Sequence, residues 1–312
     1  MKTLICPLNW GLGHATRCVP IIRKYVAEGH EIVLAADGYP LEFLKLEFPE
    51  LETIELPSYP VRYSAGKFQV LAMARNLPQI ITGIYREHKW LRNLLKAEHF
   101  DLIISDNRFG LLTKQTNCIY ITHQLMIKMP KRLKVLEPLV WWLHRQIINQ
   151  YNKCWIPDYE ANGGLSGNLS HKYPLPKNAE FIGTLSRFLK PETYKPDSKF
   201  DVVAIVSGIE PQRTLFENQL VQRFAKSNEK TLIVCGKPTA KNSKLQIGNI
   251  CFATHIADAE LASYLMGAKK IIARSGYSTI MDLHALNCLE KAEFIATPGQ
   301  TEQEYLAGYI NG

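Results

Sequence analysis

One histidine stands inside a glycine-rich turn close to the amino terminus of this 312-residue sequence. The string NWGLGHATR follows a short apolar run, TLICPL, and precedes a stretch with helical periodicity. Gly11 and Gly13 would let the backbone approach a ligand, and the free N–H groups at the helix start would favour an anion. An imidazole is suited to removing a proton from a hydroxyl group. We therefore predict that His14 is a catalytic base.

A second turn of this kind opens the later half of the chain. Ser207 and Gly208 follow the apolar run DVVAIV, and Pro211 is well placed as the first residue of a helix. The N–H groups at that helix start, together with Arg213, could hold a diphosphate.

Two further segments contain groups that suit a nucleotide sugar. The string ARSGYSTIMD, residues 273–282, turns from a strand into a helix and offers another anion site, and Asp282 could accept hydrogen bonds from a ribose diol. The string TPGQTEQE, residues 297–304, places Glu302 and Gln303 at a helix start, where they suit sugar hydroxyls. An ordinary capping box explains part of this second string.

Short apolar runs alternate with amphipathic stretches almost from end to end, which is the pattern of parallel sheets covered by helices. The pattern pauses in a polar stretch with two prolines and then restarts. We therefore predict an α/β protein with two Rossmann-like domains facing a central cleft: residues 1–183, a linker at 184–199, and residues 200–312. A long helix is expected at 67–98, broken or kinked at Pro78, and another at about 133–152.

Composition narrows the function classes. The net charge of +8 favours anionic partners, but the sequence has no basic stripe interleaved with aromatics, so a nucleic-acid partner is not expected. Seven dispersed cysteines indicate reduced, mostly buried thiols. No apolar stretch has the length of a spanning helix, and the amino terminus reads as a strand, so a cytoplasmic location is expected.

Taken together and in this order, the four segments resemble the GT-B glycosyltransferases. The resemblance is closest to glycosyltransferase family 28, which includes the peptidoglycan N-acetylglucosaminyltransferase, and to related uncharacterised bacterial sequences that begin with a GxGHxxR turn. It spans nearly the whole chain, and its most specific pieces are ARSGYSTIMDL with TPGQTEQEYLA, followed by GLGHATR.

The resemblance implies roles for individual residues. Gly11 and Gly13 match the acceptor-side loop, and His14 matches the suggested base. Ile256 stands where the family receives the base of the nucleotide, typically uracil. The other positions that match the donor site are Arg187, Ser207, Gly208, Arg213, Arg274, Ser275, Gly276, Ser278, Thr279, Asp282, Glu302 and Gln303.

The sequence departs from the family in two places. The family usually has a small, glycine-rich loop where Glu210 and Pro211 stand, and it continues with one or more helices, the last of which crosses back onto the first domain. The sequence given ends at Gly312, so the expected fold lacks that crossover helix.

The implied reaction is an inverting, metal-independent transfer of a hexose or N-acetylhexosamine from a UDP-linked donor. The nucleotide sugar is a co-substrate, no cofactor is expected, and the sequence has no DxD metal-binding string. The acceptor is an unknown hydroxyl. Residues 128–134 and 140–143 combine cations with tryptophans, which suits either a lipid-linked acceptor at the inner membrane face or a core helix with a solvated basic entry.

Three alternatives stay open at this point. A nucleotide-sugar epimerase of the same fold would need additional acid/base carboxylates in the cleft. A nicotinamide-dependent oxidoreductase would use the first turn, with Asp37 on the ribose. A non-catalytic nucleotide-sugar-binding protein, or an inactive fragment, would keep the ligand site without turnover.

Overall fold

The computed structural model of the protein describes residues 1–57, 69–188, 190–239 and 243–311. Three small parts of the predictions lie outside these ranges: the first two residues of the helical segment 67–98, Leu189 of the linker, and Gly312.

The first half of the chain forms a seven-stranded parallel sheet. Its strands are β1 (Lys2–Pro7), β2 (Glu31–Ala36), β3 (Glu52–Glu55), β4 (Leu102–Asp106), β5 (Asn117–Ile121), β6 (Lys153–Ile156) and β7 (Ala179–Phe181). Their order in the sheet is β3-β2-β1-β4-β5-β6-β7. The strand order therefore reverses between β1 and β4, and open α/β sheets bind their ligands outside the carboxyl ends of the strands at such a point.

The second half repeats this arrangement in a six-stranded sheet. Its strands are β8 (Val202–Ile205), β9 (Thr231–Val234), β10 (Lys244–Ile247), β11 (Ile250–Ala253), β12 (Lys270–Ala273) and β13 (Ala292–Phe294). They lie in the order β10-β11-β9-β8-β12-β13, with the reversal between β8 and β12. All neighbouring pairs are parallel except β10 with β11, which is an antiparallel edge hairpin.

Helices cover both sheets. They are α1 (Gly13–Ala27), α2 (Gly38–Glu47), α3 (Gln69–Ala97), α4 (Glu137–Ile148), α5 (Asn168–His171), α6 (Gln212–Phe224), α7 (Asp258–Gly267), α8 (Tyr277–Ala285) and α9 (Thr301–Asn311). A 3₁₀ helix, Lys131–Leu136, leads directly into α4.

Alternate strand residues bury on opposite faces of the first sheet. Leu4 and Ile103 pack on one face, while Ile5 and Ile104 pack on the other. The apolar cluster around Ile5 continues into the later half of the chain, where it includes Met281 and other buried residues. The two domains therefore share packed apolar surface, which holds the two sets of strand ends close to each other in this structure. All seven cysteines are free and buried.

Several predicted helices need correction. Helix α3 continues through Pro78, so the predicted break is wrong, while the alternative of a kink stays a prediction. The helix expected at 133–152 is a 3₁₀ turn followed by the shorter α4. Helix α6 begins at Gln212, so Pro211 takes the capping position and is not, as predicted, the first helical residue.

Two strands of the structure were not predicted from the sequence. Strands β3 and β10 are short, and their residues are largely exposed. Both lie at the edge of a sheet, where one side of the strand faces solvent, so neither forms the apolar run that marks a buried strand.

Candidate functional site

His14 lies at the point where the first sheet reverses its strand order. It is the second residue of α1, and its Nδ1 atom is 3.1 Å from Oδ1 of Asp106, the last residue of β4. Arg17, one turn along α1, donates to both carboxylate oxygens of Asp106, with Nε 2.6 Å from Oδ2. Arg17 and Asp106 are fully buried, whereas the side chain of His14 is 14% exposed. The imidazole is therefore the member of the group that a substrate can reach.

The neighbours of His14 determine how it can carry a proton. A second nitrogen of Arg17 lies 3.0 Å from the same Nδ1 atom. A guanidinium only donates and a carboxylate only accepts, so Nδ1 can satisfy just one of them at a time. When Nδ1 donates to Asp106, Arg17 keeps its two bonds to the carboxylate, and Nε2 of His14 is left unprotonated. This tautomer is the one that a general base requires.

Electrostatics favour the same protonation state. Burial lowers the pKa of His14 below its ordinary value; Asp106 opposes this shift, and Arg17 adds to it. Burial alone would raise the pKa of Asp106, but Arg17 and His14 outweigh it and hold the pKa of the carboxyl well below its usual range. At neutral pH the group is therefore a neutral imidazole beside an ionised carboxylate.

The second domain reaches this group through Glu302 and Tyr277. His123, which follows β5, has Nδ1 3.1 Å from Arg17 and Nε2 2.8 Å from Oε1 of Glu302 on α9. The ring of Tyr277, the first residue of α8, stacks on the His123 ring with centroids 4.1 Å apart. One of the two residues predicted to hold donor-sugar hydroxyls thus lies against the predicted base site.

The glycine turns of the two domains face each other. A Cβ added at Gly11 would lie 3.6 Å from the Cα of Gly208, and the hydroxyl of Ser278 donates to the carbonyl of Gly13 at 2.8 Å. Gly11 has φ +93°, which a residue with a side chain rarely adopts. The amino end of α8 therefore lies against the start of α1. Gly276 is the capping residue of α8, and Thr279 belongs to the first turn of α8. The turns that the sequence predicted to face each other therefore do so, and in this structure they are in contact.

A cavity of about 290 Å³ opens beside these turns. It is lined from the first domain by the turn at 9–12 and by Tyr39, and from the second by the turn at 206–210, Arg213 and Gly236. Ser207 and Gly208 therefore face the cavity, and Arg213 brings the first turn of α6 to its wall. The space is bounded by both domains, as a site for two substrates must be.

Arg187 and Asp282 form an ion pair. Arg187 is 3.3 Å from Oδ2 of Asp282 and 3.1 Å from Oδ1 of Asp258, and Ser186 donates to Asp282 at 2.7 Å. Burial raises the pKa of Asp282, although Arg187 opposes the shift. The carboxylate predicted to hold a ribose is thus bonded to the arginine predicted to hold a diphosphate. Ile256, two positions before Asp258, is buried in the core cluster that the two domains share.

One predicted donor-site arginine, Arg213, has its partners within its own domain. It is bonded to Glu210, Glu217 and the carbonyl of Cys235. Arg213 lines the cavity, but most of its N–H donors are already bonded to these partners.

Arg274 points into the second domain. It is 2% exposed, lies 4.1 Å above the ring of Phe216, and donates to the carbonyls of Ile295 and Ala296. Burial lowers its pKa to about 10. Its contacts fix the loop after β13, and they do not bring it to the His14 group.

The loop before α9 is held by its own hydrogen bonds. Ser275 donates to the carbonyl of Gln303, and Oε1 of Gln303 accepts from the Thr297 N–H at 2.8 Å. Thr301 and Glu304 do not form the expected capping box: Thr301 donates to the carbonyl of Lys128 in the first domain, and Glu304 accepts from the Gly299 N–H. Gln303 is thereby held beside Glu302, and its amide nitrogen can donate to a ligand.

Three members of the site were not assigned from the sequence: Arg17, Asp106 and His123. Each was marked by its position, since Arg17 completes the GxGHxxR string and the other two lie at or just after the end of a buried strand. Asp37, by contrast, is bonded through both oxygens, to Asn9 at 2.8 Å and to Arg108 at 2.8 Å. Both of its oxygens are therefore engaged within the first domain, and a binding measurement with NAD(P) is the test of the nicotinamide alternative.

A mixed basic and apolar surface lies on the first domain, around the start of α4. We call it the α4 surface; its exposed residues are Lys131, Arg132, Leu133, Lys134, Val135, Leu136, Leu139, Trp142 and Leu143. Residues 139, 142 and 143 recur at helical spacing within α4 and so share one face. No helix in the described ranges combines the length and the apolar character needed to cross a bilayer.

Comparison with known proteins supports the same fold. No protein-family profile matches the chain. An uncharacterized glycosyltransferase of Methanosarcina mazei is 25% identical over 329 residues, which cover 99% of this chain and 83% of that protein. The glycosyltransferase SnogD from Streptomyces nogalater matches with a TM-score of 0.56 at 12% identity, over 100% of this chain and 95% of its own.

Arabidopsis thaliana UGT89C1, in complex with UDP-L-rhamnose, matches with a TM-score of 0.53 at 11% identity, over 98% of this chain and 82% of its own. These solved structures have the GT-B fold, and the present chain has it too: two parallel-sheet domains that face each other across a cleft. Membership of glycosyltransferase family 28 stays a prediction.

Proposed function

We propose that this chain is a GT-B glycosyltransferase that transfers a hexose or N-acetylhexosamine from a UDP-linked donor to an acceptor hydroxyl, with His14 as the base. The observation that carries the proposal is the pair of His14 and Asp106 at the strand reversal of the first sheet, facing the amino end of α8. The name of the Methanosarcina mazei relative and the UDP-sugar in the UGT89C1 structure support it.

The proposed chemistry is a single inverting displacement. Nε2 of His14 takes the proton of the acceptor hydroxyl while the acceptor oxygen forms a bond to the anomeric carbon. The bond from that carbon to the diphosphate oxygen breaks, and the nucleoside diphosphate leaves with the electron pair. Asp106 stabilises the imidazolium that forms, because its ionised carboxylate accepts the hydrogen bond from Nδ1–H.

Charge that grows on the departing diphosphate needs a positive environment. The first turn of α8 offers free N–H groups at its amino end, from Tyr277 to Thr279, and the positive end of the α6 helix dipole lies beside the cavity. We propose that Arg213, which lines the cavity, and Arg187, once the donor replaces its carboxylate partners, add formal positive charge. We propose that these groups act without a metal ion, a point that transfer in the presence of a chelator would test.

Entry of the donor requires a change at the domain interface. Ser278 donates a hydrogen bond to the carbonyl of Gly13, and Gly11 lies against Gly208. A diphosphate therefore does not fit between these segments in the present structure. Asp282 is likewise engaged by Ser186 and Arg187. We propose that the domains separate to admit the donor and that its phosphates and ribose then replace these contacts.

The acceptor is proposed to be lipid-linked and presented at the inner face of the cytoplasmic membrane, with the protein held there peripherally. The α4 surface supports this, because it combines three exposed cations with the exposed side chains of Leu139, Trp142 and Leu143. Cations attract an anionic lipid surface, and tryptophan and leucine insert into its interfacial region.

The proposal is tested by a thermal-shift panel of UDP-sugars, other nucleotide sugars, free nucleotides and NAD(P), followed by a turnover assay. A preferred ligand at 100 times its Kd stabilises the folded state by about 2.7 kcal/mol. We expect UDP-sugars to raise the unfolding temperature more than the other ligands do. We also expect release of UDP to depend on an acceptor. An epimer formed from donor alone would indicate an epimerase instead, and binding without any turnover would indicate a nucleotide-sugar-binding protein.

A further inference from the structure

We propose that His123 is a positioning residue for the donor sugar: it orients Glu302 across the domain boundary, so that the second carboxylate oxygen meets a sugar hydroxyl. This inference rests on the proposed function, since it gives Glu302 a donor sugar to bind. His123 itself belongs to the first domain, where it follows β5, and it is 5% exposed. Glu302 belongs to the first turn of α9 in the second domain.

The contacts of His123 fix its tautomer. Its Nδ1 atom is 3.1 Å from a guanidinium nitrogen of Arg17, and a guanidinium has no acceptor. Nδ1 must therefore accept, which places the proton of the neutral ring on Nε2. That proton points at Oε1 of Glu302, 2.8 Å away. The hydrogen bond is of the strong kind, because its acceptor is ionised.

The ring of His123 is also held in its plane. Tyr277 stacks on it at 4.1 Å with 3° between the two rings, and the hydroxyl of Tyr277 donates to the carbonyl of Pro157 at 2.9 Å. Arg17 is in turn held by Asp106. Glu302 thus receives its hydrogen bond from a ring that Arg17 and Tyr277 contact on its edge and on its face.

Glu302 retains an acceptor for a ligand. A carboxylate accepts hydrogen bonds at both oxygens, and the bond from His123 occupies Oε1. The side chain of Glu302 is 33% exposed, in contrast to the 6% of His123. Burial would raise the pKa of Glu302, but His123 outweighs it and lowers the pKa, so the carboxylate is ionised at neutral pH. Its second oxygen is therefore a charged acceptor on a side chain that is partly open to solvent.

This arrangement predicts that His123 affects recognition of the sugar and not of the nucleotide. The test compares the Kd of UDP-glucose and UDP-N-acetylglucosamine with the Kd of UDP, by calorimetry, in the wild type and in His123→Ala. We expect the Kd of the UDP-sugar that binds to rise about tenfold, because an oriented bond to an ionised group is lost, while the Kd of UDP stays within about twofold. Glu302→Gln should show the same selective loss.

Two further variants make the test specific. His123→Gln keeps an amide donor for Glu302 and should recover part of the sugar affinity, which also serves as the readout should the alanine variant fold poorly. The double variant His123→Ala with Glu302→Gln should bind the UDP-sugar no more weakly than either single variant, because both remove one interaction. Tyr277→Phe removes the bond to Pro157 but keeps the ring on His123, so it reports on the interface alone.

The outcomes separate this inference from the proposed function. Equal weakening of UDP and UDP-sugar in His123→Ala would show that His123 only holds the domains together and would overturn the inference. A selective loss of UDP-sugar binding in Tyr277→Phe would overturn it as well, because that variant leaves the bond from His123 to Glu302 in place. Unchanged binding of both ligands would overturn it too. A wild-type protein that binds UDP-sugars no better than other ligands would contradict the proposed function itself.

Discussion

His14 and Asp106 form a hydrogen-bonding pair although 92 positions separate them in the chain. The pairing follows from the order of the sheet, since β1 and β4 are neighbours with Pro7 directly opposite Asp106. The turn that leaves β1 and the residue that ends β4 therefore meet at the same edge. An imidazole backed by an ionised carboxylate at a strand reversal is an arrangement suited to proton removal.

Replacement of His14 by alanine should stop the transfer without loss of donor binding. The base would be absent, and general base catalysis commonly contributes a factor of about 10² to 10⁴ in rate. The measurements are UDP release with acceptor present and the Kd of the UDP-sugar. Exposed His88→Ala is the matched control and should transfer at the wild-type rate. A His14→Ala protein with near-normal turnover would show that another group is the base.

Asp106→Asn should lower both turnover and stability. The asparagine leaves the buried Arg17 without its carboxylate, and breaking a buried ion pair costs about 3–5 kcal/mol in the free energy of unfolding. It also removes the acceptor that holds the Nδ1 proton of His14, so kcat should fall even under conditions where the variant is folded. Urea unfolding and kcat at low temperature measure the two effects. A variant that is fully stable would contradict the buried pairing of Asp106 with Arg17.

The pH profile of kcat/KM should have an acidic limb below 6.5, the ordinary pKa of a histidine. Burial lowers the pKa of His14, and a base is active only when unprotonated, so activity is lost as pH falls through that lowered value. Asp106 raises the pKa of His14, so Asp106→Asn should move the limb to still lower pH. An acidic limb above the ordinary value in the wild type would contradict His14 as the group that titrates.

The sequence predicted which loops meet but not which side chains pair. Apolar runs that end in glycine turns marked the crevice, and the turns at Gly11 and Gly208 do face each other. Asp106 and His123 were not predicted as site residues. Their proximity to His14 depends on the order of the strands in the sheet, which a residue pattern does not contain. Arg274 was assigned to the donor site by resemblance, yet it turns into its own domain to hold the carbonyls of residues 295 and 296.

Arg108→Ala should destabilise the first domain strongly, although Arg108 lies outside the reacting groups. Its guanidinium is fully buried, 2.7 Å from Glu87 and 2.8 Å from Asp37. Removal would leave both carboxylates without this cation, at a cost of about 3–5 kcal/mol. Urea unfolding measures the loss, and Arg92→Ala, which removes an exposed arginine, is the matched control. Similar unfolding midpoints for the two variants would contradict the structural role of Arg108.

The α4 surface should bind anionic vesicles in a way that depends on both its cations and its apolar side chains. Each cation near an anionic surface contributes about 1 kcal/mol, so added salt should weaken binding. A triple change of Leu139, Trp142 and Leu143 to serine should lower vesicle binding at least about tenfold, because the surface loses the apolar area that inserts.

Co-sedimentation with vesicles of phosphatidylglycerol and phosphatidylcholine measures this binding. Leu245→Ser is the matched control, because Leu245 is as exposed as these residues but lies on β10 of the second domain. It should leave binding unchanged, since β10 is not part of the α4 surface. Equal binding by the triple variant and the wild type would show that this surface does not meet the membrane, and a lipid-linked acceptor would then lose its structural support.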